Sequence, residues 1–133
     1  MSPEYSREWV LKAEADRLAA KRALRDAARL PGQADIACFH AQQCVEKYLK
    51  AILALRGRVV ARTHDLDSLA LGLEGTGLRL AARDLRRLNR YSVEIRYPGA
   101  MAALKDARAA IAAMERSVRG CLKVLRRPVG PSK

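Results

Sequence analysis

One stretch of the chain, Cys38-Phe-His-Ala-Gln-Gln-Cys-Val-Glu-Lys-Tyr-Leu-Lys-Ala-Ile-Leu53, gathers polar chemistry at helical spacing. At about 100° per residue, Phe39, Gln43, Glu46 and Lys50 fall within a strip about 60° wide, flanked by His40 and Lys47. Opposite them Ala41, Cys44, Val45, Tyr48, Leu49 and Ile52 fill a broad apolar arc. Two amines, a carboxylate and an amide lining a groove would suit a nucleotide. The amines would meet phosphate, and Gln and Glu would meet ribose hydroxyls or a base edge. The alternative is a solvated stripe in which Glu46, four residues before Lys50, forms one helical ion pair worth a few tenths of a kcal/mol.

Two later groups could add to such a site. His64 stands at a helix start, where free N–H groups favour an anion and disfavour a charged imidazole. It reads either as a cap or as a ligand-facing residue. In Arg96-Tyr97-Pro98 the proline pushes Tyr97 toward extended backbone, fixing the direction of the ring and of the Arg fork. Those side chains either close the end of the fold, with Arg96 paired to Glu46 or Glu94, or touch a ligand.

The elements that must hold these residues read as five helices with no strand. The first spans about residues 4–30, after Ser2-Pro3 and before Pro31-Gly32. It carries two apolar faces, one of Trp9, Ala13, Ala20, Leu24 and Ala27 and one of Leu11, Ala15 and Leu18, as if packed on more than one neighbour. The second spans 35–57, with Asp35 as N-cap and Gly57 just past its end. The short link between them makes an antiparallel hairpin. A third short helix, 66–73, is capped by Thr63 or Asp65. A fourth, 78–91, carries Arg79, Arg83, Arg86, Arg87 and Arg90. The fifth, 100–126, has an unbroken seam of Leu104, Ala107, Ile111, Met114, Val118, Cys121 and Leu125 that packs into its own bundle. The expected fold is therefore all-α, a single up-and-down type bundle over residues 1–127, with a flexible tail at 128–133.

Composition agrees. The chain of 133 residues has 24 Ala and 18 Leu but only 8 Gly and 1 Phe, a balance that favours helix. The formal net charge is +12, and 19 of the 26 basic residues are Arg. Residues 1–66 hold 12 basic and 8 acidic side chains, whereas 67–133 hold 14 and 6, so the positive field lies on the later half. Arg-rich charge of this kind marks either a solvated surface or a surface for polyanions. Cys38, Cys44 and Cys121, an odd number with no CxxC spacing, read as small core residues and not as a metal site or disulfide frame. No apolar run could span a bilayer, and MSPEYSREW lacks the core of a secretion signal, so the expected location is cytoplasmic.

Three pieces together resemble the HEPN domain, the helical partner domain of prokaryotic minimal nucleotidyltransferases. They are Phe39-His-Ala-Gln-Gln-Cys-Val-Glu-Lys-Tyr-Leu-Lys-Ala-Ile, then Thr63-His64-Asp65-Leu66, then Tyr91-Ser-Val-Glu-Ile-Arg96-Tyr97-Pro98. The resemblance implies a five-helix bundle, often a homodimer, in which the helix-two stripe, Arg96 and Tyr97 face a cleft. The ligand-binding set would be Gln43, Glu46, Lys47, Lys50, His64, Arg96 and Tyr97, with the helix-four arginines as a positive rim. The expected function is nucleotide or nucleic-acid binding beside a minimal nucleotidyltransferase, as part of a toxin–antitoxin module, without catalysis by this chain alone and without cofactor or metal.

Ribonucleases of the wider superfamily carry an Arg, four to six residues, then His. Arg58 and His64 match that spacing, though in the turn after helix two and with Val59 in place of a polar residue. A metal-independent endoribonuclease is the alternative they imply, and a structural module without ligand is a third. No phosphate loop, HExxH or paired-Asp transferase motif occurs, so nucleotidyl transfer would need the partner.

Overall fold

A computed structural model describes residues 3–92 and 101–127. Within them the chain is helical throughout: α1 (Pro3–Asp26), α2 (Gln33–Leu55), α3 (Leu66–Leu71), α4 (Ala82–Asn89) followed by a tight turn of 3-10 helix (Arg90–Ser92), and α5 (Leu104–Leu125). No strand occurs among the described residues. The expected tail at 128–133 and the Arg96-Tyr97-Pro98 break lie outside them.

The first two helices form the expected antiparallel hairpin. Ser6 Oγ donates to the Ala51 carbonyl, the Tyr48 hydroxyl to Glu14, and Asp16 accepts from Lys47, so early α1 meets late α2. α1 stops at Asp26, earlier than expected, because the chain tightens into turns in which Leu30 N–H returns to the Asp26 carbonyl. Asp35 does not cap α2. Gly32 occupies that position at φ +84°, and the Asp35 carboxylate instead accepts from Ala102 N–H at 2.6 Å, tying the start of α2 to the approach to α5. Gly57 ends α2 as expected. Its φ of +67° lets Arg58 N–H reach the Leu53 carbonyl and its own N–H the Ala54 carbonyl, which satisfies two terminal acceptors.

α2 is the axis of the molecule. α1 and α5 pack along it, and α3, α4 and the 3-10 turn close its remaining side. Its buried residues therefore run around the whole helix, from Ala37, Ala41 and Leu49 to Gln42, Glu46 and Lys50. The strip expected to be solvated or groove-lining is divided: Glu46 and Lys50 are buried, while Phe39 and Gln43 are partly exposed. Small residues (Ala37, Cys38, Ala41, Cys44, Ala51, Ala54) bring neighbours close enough to cover the buried pair.

The α5 seam packs into the bundle as its period predicted, with Ala107, Met114, Val118 and Cys121 buried. The fourth helix starts later than expected. Residues 78–81 are pulled out of helix to lie on α5, where Leu78 and Leu80 pack on the core. Gly120 permits this approach: a Cβ there would meet Leu80 Cδ2 at 2.7 Å and the Arg79 carbonyl oxygen at 3.0 Å. The three cysteines are free and buried as expected. Burial pushes the Cys38 and Cys121 thiols up to about 12.

The expected second packed face of α1 is also corrected. Leu11, Ala15 and Leu18 stand in solvent, with Leu11 70% exposed. The two kinds of leucine should separate in urea unfolding. Leu49→Ala, which opens a cavity in the core, should cost about 2–5 kcal/mol. Leu11→Ala should change the stability of the monomer, measured at high dilution, by less than about 0.5 kcal/mol.

Candidate functional site

Glu46 organises the polar interior of α2. The residue is only 3% exposed, and its Oε1 accepts from His64 Nδ1 at 2.9 Å, Gln42 Nε2 at 3.3 Å and Gln43 Nε2 at 3.5 Å. Its Oε2 accepts from Lys50 Nζ at 3.1 Å. Gln42 also donates to the His64 carbonyl at 2.9 Å and accepts from Gln43 at 2.7 Å, so the loop before α3 is pinned at both its side chain and its backbone. Lys50 lies 5.5 Å from the centre of the Trp9 ring on α1. A carboxylate with four donors is a satisfied buried charge, and losing it would strand the Lys50 ammonium.

This arrangement brings together Gln43, Glu46, Lys50 and His64 of the expected ligand set. Of these His64 opens furthest to solvent, its side chain 61% exposed, and Gln43 is partly exposed. Lys47 is not brought to this group; it pairs with Asp16, which also takes His40 Nδ1 at 2.7 Å, and so joins α2 to α1. Arg96 and Tyr97 lie outside the described residues. Arg58 and His64 have separate engagements: the Arg58 guanidinium donates to the carbonyls of Gly72 at 2.9 Å and Glu74 at 2.8 Å, closing the end of α3. Sequence reasoning passed over Gln42, whose i, i+4 spacing to Glu46 was the available signal.

His64 is held by a well-capped turn. Asp65 accepts from Asp67 N–H at 3.1 Å as the N-cap of α3, and Thr63 Oγ1 accepts from Asp65 N–H. Asn89 of α4 accepts from Leu66 N–H at 2.8 Å and donates to Asp65 and Asp67. Hydrogen bonds from Ser68 first, then Asn89, hold the Asp65 carboxyl below its ordinary range.

A second region lies between α4 and α5. Arg83, Arg86, Arg87 and Arg90 recur at i, i+3, i+4 and i+7 on one face of α4 and its following turn, while Leu85 and Leu88 point into the core. Together with Arg116 of α5 and a floor of Ala109 and Ala112 they line a groove of about 570 Å³. Its one acidic lining residue is Asp84, 3% exposed, gripped by a two-pronged bond from Arg116 Nε at 3.0 Å and Nη2 at 2.8 Å. Burial pushes the Tyr91 hydroxyl above its ordinary pKa, and Arg87 partly opposes that shift. Five guanidiniums against one carboxylate leave the lining strongly positive, and planar forks suit phosphate oxygens. Among the described residues no His, Cys, Asp and Glu group could hold a metal.

The Arg116 fork holds the Asp84 carboxyl below its ordinary value of 3.8. A depressed folded pKa stabilises fully above the ordinary value, and that stability is lost as pH falls through the folded value. In Arg116→Met the Asp84 titration followed by NMR should move up and acid unfolding should begin at higher pH. Glu46→Ala, which leaves a buried ammonium unpaired, should cost about 3–5 kcal/mol in urea unfolding. The double change with Lys50→Met should recover much of that loss.

No helix of the described chain is long and apolar enough to cross a membrane. Comparison with curated proteins finds no match. Among solved structures the fold is similar to that of TT1696 from Thermus thermophilus, at TM-score 0.76 and 21% identity, covering 90% of this chain and 97% of that one. It is also similar to ST0689, an archaeal HEPN homologue, at TM-score 0.62 and 24% identity, covering 90% and 94%. The HEPN domain family matches residues 6–124. The chain belongs to the HEPN family.

Proposed function

We propose that this protein binds RNA through the arginine groove between α4 and α5. In this reading it works as a homodimer beside a minimal nucleotidyltransferase in a toxin–antitoxin module. HEPN membership supports a nucleotide- or RNA-related function at a coarse level. The observation that carries the finer reading is the groove itself: four arginines at helical register on α4 and its following turn, with Arg116 of α5, around one neutralised carboxylate. Asp84 orients Arg116, the α4 arginines meet the phosphates, and the alanine floor lets the backbone lie close. His64, held by Glu46, Gln42 and Gln43, is the residue of the α2 group that a ligand would reach, and Gln43, Glu46 and Lys50 act by positioning it. The chain binds and the partner supplies nucleotidyl transfer.

The test is fluorescence anisotropy with a short labelled single-stranded RNA. Arg83 and Arg86 are exposed, so Arg83→Glu with Arg86→Glu should leave the helical circular dichroism unchanged. Affinity should fall at least tenfold. Because each lost phosphate contact removes about 0.7 from the salt slope for single strands, the variant should also lose less affinity between about 50 and 200 mM salt. Unchanged binding by the variant would remove the groove from the account.

A further inference from the structure

The exposed face of α1 carries a charge pattern that no ion pair among the described residues uses. Seven positions recur in steps of four and three: Glu4, Glu8, Leu11, Ala15, Leu18, Arg22 and Arg25. All seven are exposed. Steps of this kind keep one seam facing one partner along a helix. Glu4, Glu8, Arg22 and Arg25 form no ion pair with any other described residue. The helix dipole accounts for acids early and bases late in α1, but not for their lying on the same stripe as Leu11, Ala15 and Leu18.

The stripe is its own complement when reversed. About a two-fold axis through Ala15, Glu4 falls opposite Arg25, Glu8 opposite Arg22, and Leu11 opposite Leu18. A two-fold interface requires this reciprocity, in which residue i meets j and j meets i. The small side chain at the centre lets two helices approach to the short end of the usual spacing. Beside the basic end of the stripe, Leu18, Leu24 and Ile111 line a groove of about 640 Å³ between α1 and α5, bordered by Arg17, Lys21, Arg22 and Arg25 and by one acid, Glu14. The incoming acidic start of α1, Glu4 and Glu8, matches its basic border in charge.

We infer that α1 pairs antiparallel with α1 of a second copy through the Glu4–Arg25 stripe, seating the acidic start of each helix at the basic α1–α5 groove of the other. This deepens the homodimeric part of the reading above by naming the face. It is independent of RNA binding, because the α4–α5 arginines take no part.

The stripe dictates a decisive exchange of charge, read by sedimentation equilibrium of the full chain. Glu4→Arg with Glu8→Arg makes the stripe wholly basic, and Arg22→Glu with Arg25→Glu makes it wholly acidic. Each double variant should be monomeric at concentrations where the unaltered protein is dimeric, and an equal mixture of the two should regain dimer mass. Ala15→Cys, at the axis, should give a reducible dimer on mild oxidation. A monomeric unaltered protein would overturn the homodimer altogether. Variants that each keep dimer mass, or a mixture that stays monomeric, would overturn this face alone and leave a dimer formed elsewhere.

Discussion

A charged pair, Glu46 and Lys50, buried in the central helix, is what the rest of this fold must accommodate. α2 is wrapped by α1, α5 and the α3–α4 corner, yet its sequence contains a glutamate, a lysine and two glutamines on the side away from its apolar arc. An unpaired charge in that position would be costly, so Glu46 takes four donors, one of them from outside the helix. That donor, His64, is what fixes the long connection after α2 to the bundle. The route of the loop, the start of α3 and the docking of Asn89 from α4 all depend on a carboxylate that had to be satisfied.

The arginines divide by a related logic. Arg17 is committed, its fork closing on Glu115 of α5 at 2.6 and 2.8 Å, and Arg58 is spent on loop carbonyls. Arg116 is held by Asp84. The face of α4 is different, because its cations crowd one another at i, i+3 and i+4, an arrangement that weakens an isolated helix. It persists because Leu85 and Leu88 anchor the opposite face in the core. Local charge repulsion is tolerated where tertiary burial holds the backbone, and the result is a concentrated positive field on a rigid support.

Much of this was legible in the residues. The α5 seam, the hairpin, Gly57 past the end of α2, the Asp65 cap and the arginine face of α4 all follow from spacing and local chemistry. What spacing could not show was how many neighbours an element has. An apolar arc implies an opposite wet side only if something leaves that side open, and the small residues of α2 let enough neighbours in to bury Glu46 and Lys50 there. The same limit misplaced Lys47, whose partner Asp16 lies on another helix, and the cap of α2, where Asp35 was recruited by Ala102. On α1 the error ran the other way: a seam that read as packed is bare among the described residues.

The buried thiols give the molecule an internal gauge. Cys38 and Cys44 sit on the axis helix and Cys121 on α5, each with no measurable surface, and with pKa values raised by burial they hold almost no thiolate at neutral pH. Reagents that alkylate sulfur must therefore wait for helices to part. Since Cys38 lies nearer the start of α2 than Cys44, the order in which these two sulfurs react would trace whether that end of the helix breathes first, turning ordinary core residues into a clock for its opening.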